Sequence, residues 1–214
     1  MMMSGISRRA AGDAGTDRFA RLGIGITVVV VLAGSAAELI NWGLFGGRIR
    51  ALDAASDGGV FGAIGDIAEA AAAVSAWVLT ARVRPARPVA PVLAGLLTFL
   101  AVDNVMSLHD RIPHWLVFYL PLLAVTFICL IVVGRGRAGV DRLIGAGLVL
   151  LVLSFVLHLF AERLLLVLGA GSPTGLAYEI KAVVKHGAEA AGWLLIAVGL
   201  LRLSLPRGRH PDPV

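Results

Sequence analysis

Six long apolar runs, separated by short polar connections, take up most of this chain. They cover residues 23–45, 61–82, 89–109, 113–133, 143–168 and 174–203. About 20 apolar residues at a rise of 1.5 Å each are enough for a helix to cross a bilayer. With 58% hydrophobic and only 15% charged residues, the chain cannot hide this apolar surface in water. The sequence predicts an all-α fold, a polytopic membrane helix bundle of about six transmembrane helices.

The arginines predict the domain layout and the orientation. They cluster before span one and after spans two, four and six, and cationic connections normally stay in the cytoplasm. We therefore expect a cytoplasmic disordered tail over 1–21, a six-helix transmembrane domain over 22–205 and a cytoplasmic tail over 206–214. The expected location is the plasma (inner) membrane with both termini inside. A small-residue run at 34–38 resembles a signal-peptidase site, although the apolar run continues past it and favours an uncleaved span.

The basic residues are spread over the termini and connections, which indicates topology and argues against a nucleic acid partner. The single cysteine, Cys129, excludes a disulfide framework within one chain. The bilayer is thus the one partner that the composition predicts, and oligomeric state is left open.

Ionisable and polar residues inside the spans are the informative feature. One charged side chain near the bilayer centre costs about 2.5–3.5 kcal/mol even on a lenient scale, so such residues normally face a partner or a cavity. Counting residues along each span places these polar groups at one level in the outer leaflet. Every span but the fourth contributes to them, so span four is expected to be peripheral to the site. The acids are Glu38, Asp66, Glu69, Asp103, Glu162, Glu179 and Glu189.

Helical spacing groups these residues into stripes. Asp103, Ser107 and Asp110 would form one stripe at the end of span three, and Ser154, His158 and Glu162 another in span five. Seven carboxylates beside two lysines cannot all stay charged in a low dielectric, so a bound metal ion, protons or hydrogen bonds are implicated.

The residue types predict three sets of functional side chains. Imidazole and carboxylate on one helix face predict a divalent metal site, zinc in the first instance, although the histidines could equally be satisfied core residues. The metal set is His158, Glu162, His186 and Glu189. The catalytic set is Asp103, Ser107, His109 and Lys185. The substrate-binding set is Lys181, Tyr178 and Glu179, where the lysines could instead be counter-ions within the bundle. Further buried polar residues are Glu38, Asp66 and Glu69.

The segments "VDNVMSLHD" and "YEIKAVVKHGAEAAGWLL" resemble a class of uncharacterised bacterial multi-pass membrane proteins. In that class an acid and a His-acid pair close a middle span, and the last span is rich in acids. The matching positions are Asp103, His109, Asp110, Glu179, Glu189 and Gly192.

A more distant similarity is to the ceramidase and adiponectin-receptor-like membrane hydrolases, which hold zinc with Ser, Asp and three His. The positions of matching type are Asp103, Ser107, His109, His158 and His186. The chain departs from that superfamily in having six spans and "HGAE" in place of paired histidines.

Three functions fit these features. The leading hypothesis is a metal-dependent hydrolase of a lipid or lipid-linked substrate. A proton- or cation-coupled transporter or channel is the alternative, since buried acid, His and Lys chains also serve proton relays. A non-catalytic assembly subunit, in which the polar cluster only sets helix register, is the third.

Overall fold

Six long helices make up nearly all of the described chain. The computed structural model describes residues 4–52, 59–82, 88–167 and 175–205, without a strand among them. The helices are α1 (Ser4–Phe45), α2 (Val60–Arg82), α3 (Val89–Met106), α4 (Trp115–Gly134), α5 (Ala138–Val167) and α6 (Leu176–Ser204). Each contains a stretch long and apolar enough to cross a membrane. The predicted all-α membrane bundle is confirmed.

The first helix begins earlier than predicted. We expected an unstructured tail over 1–21, yet α1 is helical from Ser4, because no proline interrupts the chain before the apolar run. The candidate membrane span within it is Arg18–Phe45. The predicted tail over 206–214 lies outside the described residues.

The third helix ends earlier than predicted. Ser107 takes a left-handed conformation, with φ of 47°, and its backbone N–H bonds to the carbonyl of Asn104 at 3.3 Å. A short 3₁₀ turn, His109–Arg111, follows. The expected helical stripe of Asp103, Ser107 and Asp110 is therefore wrong, because the helix stops between its first and second members.

The last helix is the centre of the bundle. It packs on α1, α2 and α5 and is the most buried of the spans. Its contact with α5 is closest at Gly192, where an added Cβ would lie 2.9 Å from the carbonyl oxygen of Gly147. Glycine at both positions lets the two backbones approach, as small residues commonly do in membrane helices.

The two ends of the bundle differ in polarity. Successive spans alternate in direction, so the starts of α2, α4 and α6 lie with the ends of α3 and α5 at one end, here called the distal end. Towards the opposite end the interior is filled by apolar side chains that are 2% exposed or less. These are Leu93, Leu130, Ile144, Ile196 and Leu200.

Candidate active site

The polar residues of five helices line one cavity in the distal half of the bundle. Its volume is about 410 Å³, and residues of α2, α3, α4, α5 and α6, together with the turn after α3, form its walls. This volume is within the range of ligand pockets in proteins. The polar residues of the lining are Glu69, Asp103, Asn104, His109, Tyr119, Ser154, His158, Lys185 and Glu189.

A double polar contact in this cavity joins Asp103 and His109. One carboxylate oxygen, Oδ2, lies 2.9 Å from the ring Nδ1 of His109, and the other, Oδ1, accepts the His109 backbone N–H, also at 2.9 Å. Asp103 is 4% exposed. Because a carboxylate only accepts hydrogen bonds, this geometry favours the proton on Nδ1. Any proton transfer by this ring then goes through Nε2.

The early end of α3 creates this contact. The left-handed cap at Ser107 turns the chain back, so that the 3₁₀ turn carries His109 towards the last turn of α3. Had the helix continued, residues 103 and 109 would lie about 600° apart around its axis, on different faces, at 100° per residue.

Two further acids flank the pair on α2. Asp66 accepts a hydrogen bond from the side-chain amide of Asn104 at 2.8 Å, which ties α2 to α3. Glu69, 4% exposed, lines the cavity one turn further along the helix. Asp66 thus supports the site from outside the cavity, and Glu69 belongs to its wall.

Aromatic rings form the wall opposite α2. The Trp115 ring lies between two imidazoles, with its centroid 5.7 Å from that of His109 and 6.1 Å from that of His158. Tyr119, one turn along α4, packs edge-on to Trp115 at 5.7 Å and to His109 at 5.9 Å. These rings hold the two histidines at the same end of the cavity.

The Tyr119 hydroxyl is buried and has no hydrogen-bond partner among the described residues. The side chain is only 6% exposed and lines the cavity. The Asp103 carboxylate is close enough to act as a weak acceptor, but the two groups do not meet hydrogen-bond geometry. Buried hydroxyls nearly always have a partner, since leaving one unpaired costs about 1–3 kcal/mol. This hydroxyl is available to a group that enters the cavity.

The predicted metal set is divided. His158 and Glu189 line the cavity, whereas His186 lies against the Phe61 ring at 6.4 Å and pairs with Glu189 at 3.8 Å. The side chain of Glu162 is outside what the structure describes. Within the described residues no three His, Cys, Asp or Glu side chains are grouped closely enough to hold a metal ion.

The predicted catalytic and substrate-binding sets are also divided. His109, Asp103 and Lys185 line the cavity, and Ser107 at the end of α3 does not. Of the substrate-binding set, none lines it. The Lys181 ammonium lies 4.2 Å from the centre of the Tyr178 ring, and Glu179 is buried with one carboxylate oxygen lacking a partner among the described residues.

We expected α1 to contribute to the site and α4 to lie outside it, but among the described residues the cavity wall includes α4 and not α1. In the described structure α1 adds nothing to the cavity wall: Glu38 is buried elsewhere, and the Asn41 amide bonds the backbone of Ile49. We expected span four to be peripheral, which is wrong, because α4 contributes Trp115 and Tyr119. Their i, i+4 spacing at the predicted level was the signal that could have found them.

The cavity carries an excess of acids. Glu69, Asp103 and Glu189 face Lys185 as the one permanent cation of the lining. Glu69 interacts electrostatically with both Asp103 and Glu189, and Lys185 with Glu189. Two of the three carboxylates therefore have no lysine or arginine counter-ion in the cavity wall, which favours a cation, a proton or a hydrogen-bond donor there.

Fold and site together define a multi-pass integral membrane protein with a polar cavity buried among its spans. Comparison of the chain with protein-family models, with curated proteins and with solved structures finds no match. The site must therefore be interpreted from its own chemistry.

Proposed function

We propose that this protein is a membrane-embedded hydrolase that acts on a lipid or lipid-linked substrate. The observation that supports it best is the Asp103–His109 pair, held at 2.9 Å on the wall of a cavity that combines acids with apolar side chains. An imidazole oriented by a buried carboxylate is the arrangement that general base catalysis requires.

The pair supplies a complete proton cycle for hydrolysis of an ester or amide. Nε2 of His109 takes a proton from a water molecule, whose oxygen then bonds to the carbonyl carbon of the substrate. The bond from that carbon to the leaving oxygen or nitrogen breaks, and His109 returns its proton to the leaving group. Asp103 acts as a positioning residue, which keeps the ring in one tautomer and stabilises its charged form.

The tyrosine and lysine have their own parts in this proposal. The Tyr119 hydroxyl, buried without a partner among the described residues, donates to the oxygen that becomes negative when the carbonyl is attacked. Lys185, also in the cavity wall, stabilises the same charge from α6.

A divalent metal ion, zinc first, remains part of the proposal. The donor types fit, since His158, Glu69 and Glu189 line the cavity and imidazole with carboxylate suits zinc. A bound metal would polarise the substrate carbonyl as a Lewis acid. Because no three donors are grouped among the described residues, the side chains must close upon binding.

The transporter alternative is less well supported. A transport path needs polar groups or water on both sides of the site. Beneath the cavity, the interior of the described bundle is apolar, with Leu130, Ile196 and Leu200 fully buried. This favours a site closed at one end.

The test combines product detection with metal analysis. The full chain in nanodiscs is incubated with a panel of phospholipids, acylglycerols and N-acyl lipids, and products are measured by mass spectrometry. We expect hydrolysis of one class, lost in His109→Ala and kept in His114→Ala, which changes an exposed histidine of the neighbouring connection. Release of no product from any lipid class would contradict the proposal.

Elemental analysis of the same preparations tests the metal separately. We expect about one zinc per chain, reduced in His158→Ala and in Glu189→Gln but not in His114→Ala. Hydrolysis without stoichiometric metal would remove the metal from the proposal and leave the Asp103–His109 chemistry in place.

A further inference from the structure

The cavity has an apolar half that the hydrolytic chemistry does not use. Leu100 of α3 and Trp193 of α6 add to the apolar lining, but most of it belongs to α4 and α5, with side chains too apolar to bind a head group. These are Leu120, Leu123, Ala124, Phe127, Val152 and Phe155. Such a surface suits a hydrocarbon chain.

The two helices that form this half separate towards the distal end. They pack closely near their connection, where a Cβ added to Gly134 would lie 3.1 Å from the Ile144 side chain. Further along, the cavity lies between them. Pro121, inside α4 at this level, removes a backbone hydrogen bond and favours a bend there.

The seam between α4 and α5 is open. Leu120 is 50% exposed and Val152 is 48% exposed, although both line the cavity. Since both helices are membrane spans, this opening is at the depth of the bilayer's hydrocarbon region rather than at its aqueous surface.

From this geometry we infer that the substrate is an amphiphile whose single apolar chain enters from the bilayer between α4 and α5 and occupies the apolar half of the cavity. The chain seat, defined here by Leu120, Leu123, Ala124, Phe127 and Val152, then directs the polar linkage towards the acids. The inference rests on the proposed function for the reaction alone, because occupation of the seat is measurable without turnover.

The buried Tyr119 hydroxyl supports this placement. It lies one residue from Leu120, where the apolar wall meets the polar one, and lacks a partner among the described residues. A chain in the seat would bring its ester or amide oxygen to this hydroxyl. The ligand would thereby supply a hydrogen bond to a hydroxyl that has none from the described residues.

Photocrosslinking tests the seat directly. The probe is lysophosphatidylcholine with a diazirine in its acyl chain, presented to the full chain in nanodiscs, with the labelled residues mapped by mass spectrometry. We expect labels concentrated on residues 120–127 and 151–155. Ala124→Trp fills the seat and should lower this labelling about tenfold, equivalent to about 1.4 kcal/mol of binding free energy. Val125→Trp places the same side chain at a neighbouring exposed position that does not line the cavity, and should leave the labelling unchanged.

The outcomes separate this inference from the proposed reaction. Labels spread evenly over all lipid-facing helices, or unchanged in Ala124→Trp, would overturn the chain seat, and so would crosslinking between protein copies at this seam. Specific labelling with no product from the lipid panel would leave the seat in place and reject the hydrolase. Hydrolysis that Ala124→Trp does not affect would keep the hydrolase and reject the chain seat.

Discussion

Asp103 holds His109 through both of its carboxylate oxygens, although the helix that carries Asp103 ends before His109 begins its own turn. One oxygen accepts the backbone N–H and the other the ring nitrogen. The backbone bond fixes the position of the turn, and the ring bond fixes the orientation of the imidazole. A single buried acid thus fixes both the position and the ring orientation of His109.

Asp103→Asn should release the histidine tautomer while keeping the fold. The amide keeps an oxygen for the backbone N–H of His109, but it can no longer enforce a proton on Nδ1. With its oxygen on that N–H, the amide presents its NH2 group to Nδ1 as a donor, so nitrogen NMR shifts of the His109 ring should move from the Nδ1–H to the Nε2–H tautomer. Loss of an oriented general base should also slow hydrolysis by about 10²-fold or more.

Asp66→Asn is the matched control for this change. Asp66 bonds Asn104 and lies outside the cavity wall, so the same substitution there should leave the His109 ring signals as they are. If Asp103→Asn also leaves them unchanged, the orienting role of Asp103 is contradicted.

Tyr119→Phe should separate stability from ligand binding. The substitution removes a buried hydroxyl that has no partner among the described residues, so the protein without ligand should be as stable as the wild type, or more stable by about 1 kcal/mol. Binding of the crosslinking probe should weaken, and hydrolysis should fall, since the hydroxyl is proposed to bond the substrate. Thermal unfolding in detergent and probe titration measure the two effects. A clear loss of stability with unchanged probe binding would assign the hydroxyl a structural role.

Gly192→Ala should destabilise the contact between α5 and α6. The new Cβ would lie 2.9 Å from both the Gly147 carbonyl oxygen and the Leu151 side chain. A backbone atom cannot move aside cheaply, so we expect a loss of about 1–3 kcal/mol, as for overpacking in a core. Gly145→Ala is the control, because its Cβ would meet nothing within 4 Å. Equal melting temperatures for the two variants would show that α5 and α6 are not in this register.

The arginines predict the orientation in the membrane, and cysteine labelling tests it. In a Cys129→Ala background, single cysteines replace Arg111, in the connection at the distal end, and Arg135, in the connection between α4 and α5, both exposed. With both termini in the cytoplasm, a membrane-impermeant maleimide should modify the first in intact cells and the second only after permeabilisation. The reverse pattern would place the cavity in the inner leaflet.

Much of the helix architecture was predictable from the sequence. Hydropathy and helical periodicity are local properties, so the six spans could be located to within a few residues at most ends. Counting residues from the ends of each span also predicts one depth for Glu69, Asp103, His158, Lys185 and Glu189, and these five side chains line one cavity.

Local signals were less reliable where a helix starts or stops. The left-handed cap at Ser107 shortens α3, and no glycine or proline marks it in the sequence. Extending α3 to His109 predicts a helical stripe of Asp103, Ser107 and Asp110, which the structure does not have. The same extension gives no reason to expect the bond between His109 and Asp103.

The amino-acid sequence by itself determined that this is a membrane bundle with acids and histidines at one level, because the cost of such groups in hydrocarbon leaves few alternatives. Only the tertiary structure decided which of them share a cavity. Rotation of each helix and the choice of neighbours depend on close packing between distant segments, such as Gly147 against Gly192. That packing turned α4 towards the site, left α1 outside it and directed His186 to Phe61.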